Sequence, residues 1–208
     1  GERRLREMLE KYGLETVREC LDYMIEYTER RFRAEIREWP DGEYKGEAYL
    51  EHDCQGVQDI TIRVTVTVSG DSLKVDFTGS DPQTPGFINS SLPNSYSYLF
   101  LTLSSMIDDG IPRNEGLLHP VEVILPEGTV VNPRPPAPCT ACTLHAGGEV
   151  GEALAFALEK AIPEKAYVQN IKLGMPLVTY GTNPYTGEFY VDQNVMMAAG
   201  WCNGAYGV

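Results

Sequence analysis

The chain has 208 residues, 42% of them hydrophobic and 23% charged, enough to bury a core and unlike a disordered segment. Lysine and arginine number 17 against 30 aspartates and glutamates, a net charge of −13, which disfavours nucleic acid and anionic membranes as partners. No stretch approaches the ~20 apolar residues of a membrane span, and the charged opening, Gly1 to Tyr12, has no signal-peptide core.

Residues 2–12 and 14–37 pattern as helices, separated by Gly13. In the second, Leu14, Val17, Leu21, Ile25, Phe32 and Ile36 recur every three or four residues. That predicts one buried stripe, with Glu19, Glu26, Glu29 and Arg33 left to solvent. Pro40-Asp41-Gly42 ends this helix. Residues 43–51 then alternate, with Tyr44, Ala48 and Leu50 on one side. Ile60, Ile62, Val64, Val66 and Val68 alternate with Thr61, Arg63, Thr65 and Thr67. A turn at Ser69–Ser72 leads to Leu73, Val75 and Phe77, which completes an antiparallel meander with one buried face. His52-Asp53-Cys54 falls in its first connection.

A polar loop over 79–94 precedes an apolar stretch, Tyr96 to Ile107, predicted as a helix capped by Asn94 or Ser95. Apolar nearly all round, it is expected to be buried on several sides. A loop over 108–116 and a short strand, Val121 to Leu125, follow. Residues 126–138 are too rich in turn residues for regular structure. A helix over Glu149–Ala161 comes next, then alternation at Leu177–Tyr180 and Glu188–Asp192 around a turn at Asn183–Gly187. The predicted fold is α+β: N-terminal helices, an antiparallel β meander, and further helices packed on a mixed sheet.

Residues that carry chemistry are sparse. The three histidines, His52, His119 and His145, lie far apart in sequence. Cys139-Thr140-Ala141-Cys142 with His145 resembles a ligand cluster, but structural zinc takes four ligands, usually as two close pairs. Cys54 and Cys202 are solitary, so no second pair exists. A redox CxxC is expected to open a helix after a strand, whereas this one follows a proline-rich run. Buried or loop thiols are the expectation. An odd total of five cysteines, Cys20 among them, fits free thiols in a reducing cytoplasm. His145-Ala146-Gly147-Gly148-Glu149 opens a helix where backbone N–H groups could hold an anion. It lacks the Lys-Ser/Thr of a phosphate loop and the full dinucleotide fingerprint. No serine stands in a nucleophile elbow. Asn89, Arg113, Asn114 and Glu115 occupy polar loops suited to a substrate cavity or a neighbouring subunit, with turn-making and capping as the alternative. The residues assign no catalytic group and no metal ligand.

Five short motifs occur in order: Val75–Ser80, Gly86–Asn89, Ile111–Gly116, His119–Val123 and Pro126–Pro133. This run resembles the central part of the hydantoinase B/oxoprolinase family. Gly1–Leu5 with Tyr12-Gly13 is similar to the family's preceding helix, so the resemblance covers most of residues 1–165. It implies a cytoplasmic heteromeric enzyme. A hydantoinase A-type ATPase subunit phosphorylates a carbonyl or enol oxygen, and the B-type subunit completes hydrolysis of a cyclic amide or, in acetone and acetophenone carboxylases, a carboxylation. It also implies ATP on the partner subunit and a divalent metal in an N-terminal portion that nothing here matches. Residues 1–208 are then expected to be an internal piece without that portion, with a helical lead-in over 1–40 and an α+β body over 43–208. By itself the piece is expected to hold no cofactor, to be inactive or a scaffold, and to self-associate. Two segments depart from the family pattern, Cys139–Leu154 and Met196–Gly204. They bear on the substrate, because loops set substrate choice on a shared fold.

Overall fold

In the computed structural model the described residues are 1–140, 142–143, 145–166 and 176–195, with backbone alone at 176–178 and 192–195. Two helices open the chain, α1 (Glu2–Tyr12) and α2 (Leu14–Ile36). Gly13 joins them at φ 81°, a setting that a side chain would strain. Strands β1 (Gly42–His52), β2 (Gln58–Ser69) and β3 (Ser72–Asp76) form the antiparallel meander, in register Leu50↔Ile60 and Val66↔Val75. After α3 (Leu92–Met106), strand β4 (Val121–Ile124) joins β3 in parallel, giving a mixed sheet in the order β1-β2-β3-β4. Helix α4 (Gly147–Leu158) lies against β1 and β2, α3 lies against α4, and α2 meets β3. A hairpin of β5 (Pro176–Thr182) and β6 (Phe189–Val195) ends the described chain. The fold is α+β, as the patterning indicates.

The core follows from alternation. Ile60, Ile62, Val64, Val66 and Val68 of β2 are all buried, together with Leu73, Val75 and Phe77. Burying a side chain of this kind stabilises by roughly 1.5–3 kcal/mol. Helices cover this face, and α4 comes unusually close because Gly46 of β1 has no side chain. A β-carbon there would stand 1.9 Å from the carbonyl oxygen of Ala153.

Several expectations are corrected. The stripe of α2 is buried at Val17 and then toward its C-terminal end, but not along its whole length. Thr28, Phe32 and Ile36 are covered and Ile25 is half-buried, whereas Leu14 and Leu21 are 71% and 51% exposed. The helix meets the body from about Ile25 onward, where the short 3-10 turn Glu115–Leu117 packs against it. Helix α3 starts a turn earlier than expected, after Ser91 and with Pro93 in its first turn, a position that needs no N–H partner. Asn94 and Ser95 do not cap it; both side chains reach across to other loops. Nor is α3 buried all round, since Leu92, Tyr96 and Leu101 are exposed. Helix α4 begins at Gly147 rather than Glu149 and ends at Leu158. The terminal departure at 196–204, Cys202 included, lies outside the described residues.

Candidate functional site

One corner of the body gathers five polar side chains that reach between distant segments: Asp53, Asn89, Asn94, Ser95 and Tyr98. Asp53, fully buried just after β1, accepts backbone N–H groups from Gln55 (2.8 Å) and Val57 (2.9 Å) on Oδ1 and from Gly86 (3.0 Å) on Oδ2. Gly86 must be glycine, since a β-carbon would lie 2.0 Å from the Asp53 carbonyl oxygen. Three residues on, the buried Asn89 accepts the Thr84 N–H at 2.9 Å. Its amide nitrogen donates to the carbonyl oxygens of Thr84 (3.0 Å), Gly86 (2.9 Å) and Pro138 (2.9 Å). At the start of α3, Asn94 donates to Ser90 Oγ and to the Cys142 carbonyl, both at 2.8 Å. The Tyr98 hydroxyl donates to the Thr143 carbonyl, and Ser95 Oγ donates to Val131 O at 2.6 Å. Pro138, Cys142 and Thr143 are thereby fastened to Asn89 and to the N-terminal half of α3.

This corner also brings His52 toward His145, two of the three histidines that lie far apart in sequence. Cys54 Sγ stands 3.4 Å from His52 Nδ1. Burial, and then His52, lower the pKa of His145, so its imidazole is neutral at pH 7. Burial, and then Cys142, push the Cys139 thiol up, away from thiolate. Tyr98 is pushed up by burial, then by Glu149 and Cys142. Glu149 is 1% exposed in the first turn of α4, where the helix dipole favours a carboxylate. His145 is therefore a neutral donor or acceptor, and Cys139 is held away from the nucleophilic thiolate. Cys20, Cys54, Cys139 and Cys142 are free thiols. Among the described residues no three His, Cys, Asp or Glu side chains converge as a metal cage.

The four loop residues singled out from sequence do not form one site. Asn89 belongs to the corner, before the N-terminus of α3. Arg113 sits at the other end, where Nη2 donates to Ser104 O (2.9 Å) and Nη1 to the carbonyls of Asp108 (2.9 Å) and Ile111. The 15 residues of α3 span roughly 22 Å between them. Asn114 caps the 3-10 turn through the Gly116 N–H (2.9 Å) and donates to Thr28 Oγ1 (2.9 Å) and Met24 O (3.3 Å) of α2. Glu115 begins that turn and is exposed. Glu35 of α2 accepts the Asp108 N–H at 3.0 Å. Residues 108–116 thus form a clasp that fastens α2 to the body. Sequence reading missed Asp53, Asn94 and Tyr98. Asp53 alone carried a local signal, Asp-Cys-Gln-Gly, typical of a turn in which Asp bonds forward to the backbone.

The model of the family described as hydantoinase B/oxoprolinase matches residues 1–207. The chain belongs to the hydantoinase B/oxoprolinase family. It is 38% identical over 176 residues to the B-type subunit of a putative D-/L-hydantoinase from Pseudomonas sp. (strain NS671), covering 79% of this chain and 30% of that protein. It is 40% identical over 166 residues to the beta-type subunit of the caprolactamase of Pseudomonas jessenii, covering 79% and 28%. The crystal structure of the ATP-dependent caprolactamase from Pseudomonas jessenii superposes with a TM-score of 0.82 at 35% identity, over 95% of this chain and 33% of that one. The chain thus spans about 30% of the length of the curated relatives it matches. In this family member, the loop Gly86–Asn89 is the staple of the corner and Ile111–Gly116 is the clasp on α2. No helix among the described residues is long and apolar enough to cross a membrane.

A third family motif, His119–Val123, closes a further polar network on α2. His119 Nδ1 lies 2.7 Å from Glu29 Oε2, and Arg33 bridges Glu29 (2.8 Å) and Asp71 (3.2 Å). An open groove of about 460 Å³ runs beside it, lined by Arg33, Lys74, His119 and Glu122 among others. The hydrogen bond to His119, then that to Arg33, hold the Glu29 carboxyl below its usual range. Asp53 is also lowered: burial opposes its charge, but the N–H groups of Gln55, Val57 and Gly86 outweigh it. A folded-state pKa below the unfolded value means stability that is complete above the unfolded value of about 4 and is lost as pH falls through the folded one. Burial raises Glu35, which works the other way on acidification. The melting temperature is expected to fall below about pH 4, and Glu29→Gln is expected to make that fall shallower. A melting temperature that climbs between about pH 4 and about pH 2 would contradict the assignment.

Proposed function

We propose that this chain is the central part of the B-type subunit of an ATP-dependent heteromeric enzyme that hydrolyses a cyclic amide of the hydantoin, oxoproline or lactam type. The supporting observation is the identity of 38% and 40% to the B-type subunit of a hydantoinase and the beta-type subunit of a caprolactamase, across four fifths of the chain. A ring amide is a poor electrophile. A hydantoinase A-type ATPase subunit transfers a phosphoryl group to its carbonyl oxygen, which turns that oxygen into a leaving group. Water then adds to the carbon, the ring nitrogen leaves as the amine with the proton of the new hydroxyl, and the acyl phosphate that remains is hydrolysed by a second water to the carboxylate and inorganic phosphate. ATP is held by the partner. A divalent metal is held by an N-terminal portion of the subunit outside these residues. Residues 1–40 form the helical lead-in and 43–208 the α+β body. Asn89, Arg113, Asn114 and Glu115 are positioning residues, one fixing the corner and three forming the clasp, next to the substrate cavity or a subunit neighbour. The enzyme works in the cytoplasm on a small molecule, without nucleic acid or membrane.

The complete subunit and its ATPase partner are the material for the test. With ATP, a hydantoin, 5-oxoproline and caprolactam are supplied in parallel with acetone plus bicarbonate. Ring-opened acid from at least one of the three amides is expected. Carboxylated ketone with no ring opening would overturn the amide reading in favour of a ketone carboxylase. Neither product from an intact, ATP-binding complex would leave the chain with a scaffold role.

A further inference from the structure

Cys139 and Cys142 stand at the two ends of one turn. The Cys142 N–H donates to the Cys139 carbonyl oxygen at 3.1 Å, the bond across four residues that brings the outer α-carbons within about 7 Å. A disulfide needs them roughly 4.4–6.8 Å apart. Both residues are half-buried and carry free thiols. They are close enough that Cys142, after burial, pushes the Cys139 thiol up. Cys139 Sγ makes one weak contact, with Ala137 O at 3.7 Å. Neighbours hold the turn from both sides. Before it, Asn89 Nδ2 bonds Pro138 O at 2.9 Å. After it, the Cys142 carbonyl accepts Asn94 Nδ2 (2.8 Å) and the Gly147 N–H (3.1 Å), and Thr143 O accepts the Tyr98 hydroxyl. None of these bonds uses a sulfur, so joining the sulfurs breaks none of them. The proline-rich run does not oppose closure, because it ends at Pro138 and the turn begins after it.

We propose that Cys139 and Cys142 are a reversible dithiol–disulfide pair whose oxidant is a low-molecular-weight disulfide of the glutathione type. One cysteine, as thiolate, attacks a sulfur of the oxidant and expels half of it as a thiolate. The second cysteine, also as thiolate, attacks the protein sulfur of that mixed disulfide and expels the other half. The two protons lost by the cysteines end on the two expelled thiols. Two electrons pass to the oxidant, so one disulfide forms for each one reduced. In a reducing compartment such a pair is a sensor rather than a permanent staple. The folded turn keeps the two thiols near each other, so the equilibrium favours the disulfide more in the folded chain than in the unfolded one. The rate does not report this, because burial and Cys142 hold Cys139 away from thiolate. The pair does not depend on which reaction the enzyme performs.

For the test, the complete subunit is equilibrated over a series of reduced-to-oxidised glutathione ratios, once folded and once in urea. Samples are quenched with acid, alkylated, digested and mapped by mass. The expected result is a Cys139–Cys142 cross-link that dithiothreitol reverses, with an equilibrium constant about tenfold or more higher in the folded subunit. Cys139→Ser and Cys142→Ser are each expected to leave at most a glutathione adduct on the remaining cysteine. Two free thiols at every ratio overturn the proposal, and so do glutathione adducts without a cross-link on the folded wild type. An equilibrium constant no higher in the folded subunit than in urea overturns it as well, since the turn would then oppose closure. A cross-link from either cysteine to Cys54 or Cys20 instead is equally a refutation.

Discussion

Asn89→Ala is expected to lower the unfolding free energy by about 3–4 kcal/mol, among the largest single effects in the molecule. The side chain is fully buried and makes four hydrogen bonds, to Thr84 N, Thr84 O, Gly86 O and Pro138 O. Alanine leaves four backbone groups facing an apolar gap that they cannot fill themselves. Each stranded buried group costs about 1 kcal/mol or more, and the missing amide leaves a cavity besides. The bond to Pro138 is the only one of the four that leaves the 84–89 loop, so the segment from Pro138 to Gly147 loosens first. Urea titration gives the loss, and amide exchange at Cys142 and Gly147 gives its location. A loss under about 1 kcal/mol would mean that water or a neighbouring amide takes over these bonds.

Gly46→Ala is expected to cost about 3–5 kcal/mol. The new β-carbon would lie 1.9 Å from Ala153 O and 2.8 Å from Ala157 N, both backbone atoms of α4. No side-chain rotation relieves an overlap with backbone, so α4 has to lift off β1. Lifting it uncovers Ala153, Leu154, Ala157 and Leu158, all fully buried. Gly148→Ala is the control, in the first turn of the same helix, where a β-carbon meets nothing within 4 Å. It is expected to be neutral or to stabilise by up to about 1 kcal/mol, since alanine favours helix over glycine. Equal urea midpoints for the two variants would refute the close approach of α4 to β1.

The contrast between β2 and α2 explains what sequence alone reveals. Ile60 to Val68 alternate with polar residues, one whole face is covered, and the strand was legible because pattern and burial coincide along its length. Helix α2 carries an equally regular stripe, yet Leu14 and Leu21 face solvent. Periodicity reports that a face is apolar, not what covers it. Helix α3 misled for a related reason: without charges its exposed residues, Leu92, Tyr96 and Leu101, look like core. The corner was illegible because its partners are remote. Asn89 meets Pro138 across 49 residues and Asn94 meets Cys142 across 48. The Cys139–His145 cluster was visible as composition, whereas His52, which faces His145, ends β1 and Cys54 follows it. Five short motifs in order identified the family where spacing assigned no reaction. The fold accounts for three of them, Gly86–Asn89 as the staple, Ile111–Gly116 as the clasp and His119–Val123 in the polar network on α2.

If this chain serves an enzyme that uses ATP to open a cyclic amide, phosphate release and ring opening must be coupled. The most direct measurement follows both together in the reconstituted complex, with the amide that turns over. The two products are expected in equal amounts, neither is expected without ATP, and Asn89→Ala is expected to slow both alike. Ring opening at full rate without ATP, or phosphate release that ignores the amide, would contradict the coupling.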